Sequence, residues 1–128
     1  MSHDSRLGMT VTHRRYVSHS HAHYGGDLVD GAFVLGLFGD VATELCIRTD
    51  GDEGLLASYT NVQFVAPVRA GDVIEVRATV TAVGRRSRTL RLTAQVTCRY
   101  APSRSPTAAD VLTEPLLVTS ADGTVVVP

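Results

Sequence analysis

The sequence contains no lysine, so all 12 of its basic residues are arginine. Schiff-base catalysis, pyridoxal chemistry and the phosphate-binding P-loop each depend on a lysine amine, and those reaction classes are therefore closed. Tryptophan is absent too, aromatic residues make up only 5% of the chain, and Asn61 is the single asparagine. A formal charge of −1 excludes the strongly basic surface of a nucleic-acid or lipid-headgroup binder. The two cysteines, Cys46 and Cys98, form no CxxC and keep no zinc-type spacing with histidine, so they read as small buried apolar residues with reduced thiols. No N-terminal apolar run resembles a signal peptide and no segment approaches the length of a membrane span, which gives a cytoplasmic protein as the expectation.

What is present is enough apolar residue, 44% of 128 positions, to fill one core, and a single domain over residues 1–128 is expected. Period-two alternation from Gly8 to Ser18 predicts a strand. His19 to Val29, with three histidines, Tyr24 and Gly25-Gly26, breaks both periodicities and reads as a loop. From Asp30 to Arg48 the apolar residues cover most of a helical wheel, which predicts a helix buried on nearly all sides. Asp27 or Asp30 can cap its start, and Thr49 to Asp52 close its end. Gly36 and Gly39 each cost about 1 kcal/mol in a helix relative to alanine, so they are expected to admit another backbone closely.

Strands follow the helix. Leu55 to Val68 is extended, and Val73 to Val83 and Arg88 to Arg99 alternate cleanly around a Gly84 to Ser87 hairpin connection. Ala101 to Asp110 reads as a loop, and Val111 to Val127 as one or two strands broken near Pro115 and at Ala121 to Gly123. One sheet cannot cover a helix that is apolar all round, so a partner subunit is the natural cover.

The segments HAHYGGDLVDGAFVLGLFGDVATEL (His21 to Leu45), DGDEGL (Asp50 to Leu55), NVQFVAPVRAGDVIE (Asn61 to Glu75) and EPLLVTSADGTVVVP (Glu114 to Pro128) resemble the 3-aminobutyryl-CoA and β-alanyl-CoA ammonia-lyases of the hotdog fold. FVAPVRAGDVIE is common to hotdog proteins and speaks only to fold, whereas HYGGDLVDGA with LFGDVATE is the specific signal. The resemblance implies an α+β hotdog fold, a long central helix wrapped by a curved antiparallel sheet. It also implies reversible elimination of ammonia from a 3-aminoacyl-CoA, without metal or prosthetic group, coenzyme A entering only as part of the substrate. Loop Ala101 to Asp110 and the first ten residues have no counterpart in the resemblance.

Such a reaction needs a base for the α-proton, stabilisation of an enolate-like oxygen and a site for the leaving amine. The turn Gly25-Gly26-Asp27 can present backbone N–H groups at the positive end of the helix. The resemblance puts Asp27 in the position of the reacting or polarising side chain; its alternative is a helix cap. Asp40 and Glu44, four apart on the helix, share a face. Burial would raise their pKa toward a base's working range, Glu44 being preferred to Asp40, while the alternative is solvation or pairing with arginine. His23 and Tyr24 stand next to the turn and can donate a proton or position the amine. His19, His21 and His23 alternate as a metal-binding trio would, but a solvated loop is the simpler reading, and no metal is expected. Gly26 and Asn61 complete the substrate contacts, with a cross-strand hydrogen bond as the alternative for Asn61. For the nucleotide end of CoA, Arg85, Arg86, Ser87 and Arg88 gather guanidinium groups that match phosphate oxygens, or else guard a sheet edge.

Two competing functions use the same fold: an acyl-CoA thioesterase in which Asp27 or Glu44 activates water, and a non-catalytic acyl-CoA-binding subunit. Expected partners are the acyl-CoA and further copies of the chain. A dimer follows from the uncovered helix, and a hexamer, a trimer of dimers, from the resemblance. Nucleic acid and membrane are not expected partners.

Overall fold

A computed structural model describes residues 4–128. Five strands, β1 (Thr10–Tyr16), β2 (Leu55–Phe64), β3 (Val73–Val83), β4 (Ser87–Tyr100) and β5 (Ala109–Val126), form one antiparallel sheet in the order β1-β3-β4-β5-β2. The helix α1 (Gly31–Asp50) packs across its concave face. This is the expected α+β arrangement of a long helix held by a curved sheet.

The alternation in β3 and β4 produces the core directly. Ile74, Val76, Ala78 and Val80 of β3 and Leu90, Leu92, Ala94 and Val96 of β4 point to one face and are buried. They meet Val34, Leu37, Phe38, Val41, Leu45 and Cys46 of α1. Each of the larger side chains contributes about 1.5–3 kcal/mol by leaving water. Ala82 departs from the pattern and is exposed, because the β3–β4 register shifts between Val80 and Ala82. Of the two thiols, Cys46 is buried and Cys98 half-buried, and neither is in a disulfide.

Two expectations are corrected. First, Gly36 and Gly39 lie toward the flank of α1 that its own chain leaves uncovered, as expected of a single sheet, and not against another backbone of this chain. The sheet edges cup the helix: Glu44 faces His13 of β1, and Leu35 receives the Tyr59 hydroxyl from β2. Between them Ala32, Gly36, Asp40, Thr43 and Ile47 form an open stripe, with Ile47 49% exposed. Gly36 accordingly meets no neighbouring atom, and Gly39 only the Tyr59 hydroxyl, so neither glycine admits another backbone within this chain. Second, of the expected one or two strands there is one, β5, and neither of the expected breaks ends it. Its pairing with β4 jumps from Leu116 opposite Val96 to Val111 opposite Cys98, so the residues around Pro115 bulge out of the ladder without ending the strand. Pro115 has no N–H to give the ladder, and a bulge is where a sheet tolerates that. Ala121-Asp122-Gly123 simply pairs straight through with Leu92, Arg91 and Leu90.

The far end of α1 is fixed by charge. Gly51 closes the helix in the left-handed conformation at φ 67°, its N–H bonding the Ile47 carbonyl. Just before it, Asp50 accepts two hydrogen bonds from Arg88, at 3.0 and 2.7 Å, and one from Arg6 at 2.8 Å. Arg88 is 4% exposed and spends its remaining donor on the Gly84 and Ser87 carbonyls. The Arg88 hydrogen bonds, helped by Thr49 and Arg6, lower the Asp50 pKa from 3.8 to about 2. A carboxyl depressed on folding stabilises fully above its unfolded value, and that contribution is lost as pH falls through the folded one. Urea midpoints are therefore expected to drop between pH 4 and pH 2, and Asp50→Asn is expected to flatten that segment of the profile. An unchanged slope in the variant would assign the acid sensitivity to other carboxylates.

Among the described residues no helix is long and apolar enough to cross a membrane.

Candidate active site

The chain enters α1 through two short 3-10 turns, His19–His21 and Gly25–Asp27. Gly26 and Asp27 both have left-handed backbones, φ 71° and 62°, which turn the chain sharply. Glycine tolerates this freely and aspartate better than most residues. Backbone bonds to the segment before β3 hold the turn. The Asp27 carbonyl accepts from Ala70 N–H at 2.8 Å, Leu28 bridges to Arg69, and Val29 N–H donates to the Val68 carbonyl at 2.9 Å.

That segment is itself organised by a carboxylate. Asp72, fully buried, accepts from Arg69 N–H at 2.8 Å, from Tyr100 N–H at 2.8 Å and from the Arg99 guanidinium at 3.0 Å. Gly71 sits beside it at φ 92° with the Tyr100 and His19 rings against its α-carbon, so the turn accepts no larger residue there.

Between the helix entry and the end of β2 lies a cleft of about 530 Å³. Its walls are Tyr24, Val29 to Ala32 and Val34 on one side, Phe64 to Val68 on the other, with Thr119 between. The Phe64 ring lies on Gly31, where a Cβ would come within 2.5 Å of it. Phe64 is nonetheless 59% exposed and Tyr24 57% exposed, so the mouth is open in a single chain. Asp30, not Asp27, occupies the N-cap position, and its side chain makes no capping hydrogen bond. The first amides of a helix have no internal partner. Gly31 and Ala32 therefore present free N–H groups at the cleft, at the positive end of the helix dipole.

The structure separates the other candidate residues. Asp27 is exposed, on the turn that leads to the cleft between the wall residues Tyr24 and Val29, without itself forming a wall. His23 packs edge-on against Tyr24 at 4.7 Å between ring centres. His19 and His21 turn instead to Tyr100 and Phe33, so the three histidines do not converge. Among the described residues no group of three His, Cys, Asp or Glu could hold a metal. Gly26 is open on its outer side. Asn61 is exposed in a β2 bulge, with a left-handed φ of 52°, where pairing to β5 skips from Thr60 to Gln63.

Glu44 requires a correction. Its carboxylate accepts from Arg48 at 2.8 Å and is bonded to His13 Nε2 at 2.9 Å. Those partners, Arg48 foremost, lower its pKa, where burial was expected to raise it. It also stands about 20 Å along the helix axis from Gly31, and Asp40, exposed on the open stripe, about 14 Å. Arg88 is a second correction: every guanidinium nitrogen is engaged within the chain, so it has nothing left for a phosphate. Arg85 and Arg86 are exposed on the same turn with Ser87 half-buried. Arg88's bond to Asp50 places that turn at the far end of a helix of 20 residues, about 28 Å from the cleft within one chain.

Three participants escaped the sequence reading: Asp72, Phe64 and Tyr59. Tyr59 donates to the Leu35 carbonyl at 2.6 Å, and burial, with the Asp40 charge second, pushes its pKa up. An acid directly after a glycine before a strand was the available signal for Asp72. Nothing in the local pattern of β2 marks Phe64 or Tyr59 as contacts of the helix.

Comparisons with known proteins bear on this site. A family model described as thioesterase superfamily matches residues 28–96, which include most of the cleft. The 3-aminobutyryl-CoA ammonia lyase of Acetoanaerobium sticklandii is 52% identical over 107 residues, 84% of this chain and 85% of that protein. The solved β-alanyl-CoA:ammonia lyase from Clostridium propionicum superposes with a TM-score of 0.89 at 34% identity, covering 94% of this chain and 86% of that one. A hexameric hotdog fold thioesterase of Campylobacter jejuni, at 20% identity and a TM-score of 0.74 over 90% of this chain and 80% of its own, shares the fold.

Proposed function

The chain belongs to the thioesterase superfamily and, within it, to the family of the 3-aminobutyryl-CoA ammonia lyases, and from that membership we propose that it eliminates ammonia reversibly from a 3-aminoacyl-CoA to give a 2-enoyl-CoA. The observation that carries this reading is the cleft at the amino end of α1, apolar over most of its wall and closed at one end by uncapped helix amides. An acyl chain fits the apolar walls, and a thioester oxygen that gains negative charge is stabilised by the Gly31 and Ala32 N–H groups.

The electrons balance without a further reactant. The Asp27 carboxylate takes the proton from C2, the C2–H pair becomes the C2–C3 double bond, and the C3–N pair leaves with the amine as ammonia. The proton on Asp27 is then released to solvent. Tyr24, on the cleft wall beside His23, positions the departing amine. No metal or prosthetic group enters this scheme, coenzyme A being part of the substrate.

The active unit is a dimer or a larger assembly. The open stripe on α1 runs alongside β2, an edge strand whose Leu55 is 75% exposed and whose Phe64 borders the cleft. An unpaired sheet edge and exposed large apolar side chains such as Ile47 and Leu55 call for cover. A second copy is the cover we propose, and three such dimers the full assembly, as in the hexameric thioesterase of the same fold. Arg85 and Arg86 reach CoA phosphates only from another subunit, and we assign them that role.

Incubation with crotonyl-CoA and ammonium tests the reading. Loss of the enoyl absorbance with formation of 3-aminobutyryl-CoA is the expected result. Release of free CoA thiol would instead establish hydrolysis, and no reaction would leave a binding subunit.

A further inference from the structure

The geometry points to Asp30 as the counter-charge that holds the 3-ammonium group of the substrate and so sets the preference for an aminoacyl over a plain acyl thioester. This deepens the elimination reading and rests on it. Of all the residues that wall the cleft, Asp30 alone carries a carboxylate; Tyr24 and Thr119 add hydroxyls, and the others are apolar or glycine.

Asp30 is also released from the task its position suggests. An aspartate at the N-cap ordinarily accepts from an amide in the first turn. Here the backbone has N-cap geometry, φ −69° and ψ 150°, yet the side chain bonds none of those amides. The Phe33 N–H goes instead to the carbonyl of Asp30, at 3.2 Å. The side chain is thus free of a capping bond, and the half-buried Asp30 lines the same cleft as Gly31 and Phe64. Low-polarity walls strengthen a charge pair relative to water.

The substrate's own geometry completes the fit. In a 3-aminoacyl thioester two carbon–carbon bonds separate the carbonyl carbon from the carbon that bears nitrogen. A carbonyl oxygen seated on the Gly31 and Ala32 amides therefore keeps the ammonium within reach of residue 30. Other acids do not compete for it: Glu44 is held by Arg48 and His13, Asp40 lies on the open stripe, and Asp27, on the turn leading to the cleft, is the acid assigned to the C2 proton.

Asp30→Asn tests the assignment, because asparagine is as good an N-cap as aspartate and preserves the shape. Two esters of the same length separate charge from fit: 3-aminobutyryl-CoA, and butyryl-CoA as an unreactive competitor. The variant is expected to raise KM for 3-aminobutyryl-CoA by at least about tenfold, the scale of one charge-assisted hydrogen bond, with Ki for butyryl-CoA unchanged. A parallel rise in both constants would show that residue 30 only shapes the cleft, and a change in neither that it is idle; each overturns the proposal. If the parent protein releases no ammonia, the elimination reading falls separately. Calorimetric affinities of parent and variant for the two esters then decide the role of Asp30 by the same split.

Discussion

Replacing Asp72 with alanine is expected to lower the stability of the fold by about 3–5 kcal/mol, the range for removing one partner of a buried charge pair. Three donors lose their acceptor together: the Arg69 and Tyr100 amides and the Arg99 guanidinium. Asp72 is fully buried, so water does not replace it without opening the turn. The turn also anchors neighbours. Asp72 gives its carbonyl to Val17 N–H at 2.8 Å, and Gly71 N–H bonds the Val17 carbonyl at 2.7 Å, tying the end of β1 to the start of β3. For a chain of this size the loss corresponds to a fall in Tm on the order of 10–20 °C at fixed protein concentration. The effect reaches the cleft, because Ala70 and Arg69 hold Asp27 and Leu28 in place. Thermal melts check the magnitude, and adding Arg99→Ala is expected to cost less in the Asp72→Ala background than alone. A melt within about 3 °C of the parent would show that the carboxylate is dispensable.

The contrast between Asp72 and Arg88 marks what a linear pattern conveys. Strands β3 and β4 were legible because alternation is a local property: one face of each is core and the sequence shows it without knowledge of what it packs on. The helix was legible for the same reason, and so was the need for a cover beyond its own sheet, but not which of its residues stay open. An apolar wheel does not distinguish residues buried against the chain's own sheet, such as Phe38 and Leu45, from residues such as Ile47 that stay open for a partner. Arg88 looked like a third phosphate ligand because it follows Arg85 and Arg86. Its true partner, Asp50, lies 38 positions away, and only the register of β4 against the end of α1 joins them.

The site divides along the same line. The turn HYGGD and the helix start were visible as a candidate site through the resemblance to the ammonia-lyases, which places a reacting acid there. Which acid faces the cleft was not, because Asp27 and Asp30 are both suited to a cap. Their roles depend on two left-handed residues, Gly26 and Asp27, that rotate the chain before the helix begins. The β2 side of the cleft was invisible: Phe64 reads as one more strand residue until the sheet closes and lays its ring on Gly31.

Asp27→Asn is expected to reduce turnover of 3-aminobutyryl-CoA by at least about two orders of magnitude, the usual scale for a lost general base, while Glu44→Gln stays within about one order of the parent. Both acids were candidates from the sequence, and their surroundings separate them. Asp27 lies on the turn into the cleft, its carboxylate without a hydrogen-bond partner among the described residues, and its left-handed backbone is fixed by Ala70. Asparagine adopts the same backbone at least as readily, so the variant removes basicity and little else. Glu44 is bound from both sides, its pKa lowered, and a carboxylate made less basic is a poorer proton acceptor. Glutamine can keep both contacts, accepting from Arg48 and donating to His13, so the joint between α1 and β1 survives. Steady-state kinetics with both variants, after circular dichroism has established that each is folded, decide the ranking. Should Glu44→Gln prove the more damaging, the helix of a second subunit must carry its Glu44 into the reacting centre, and the base would have to be sought on the open stripe of α1.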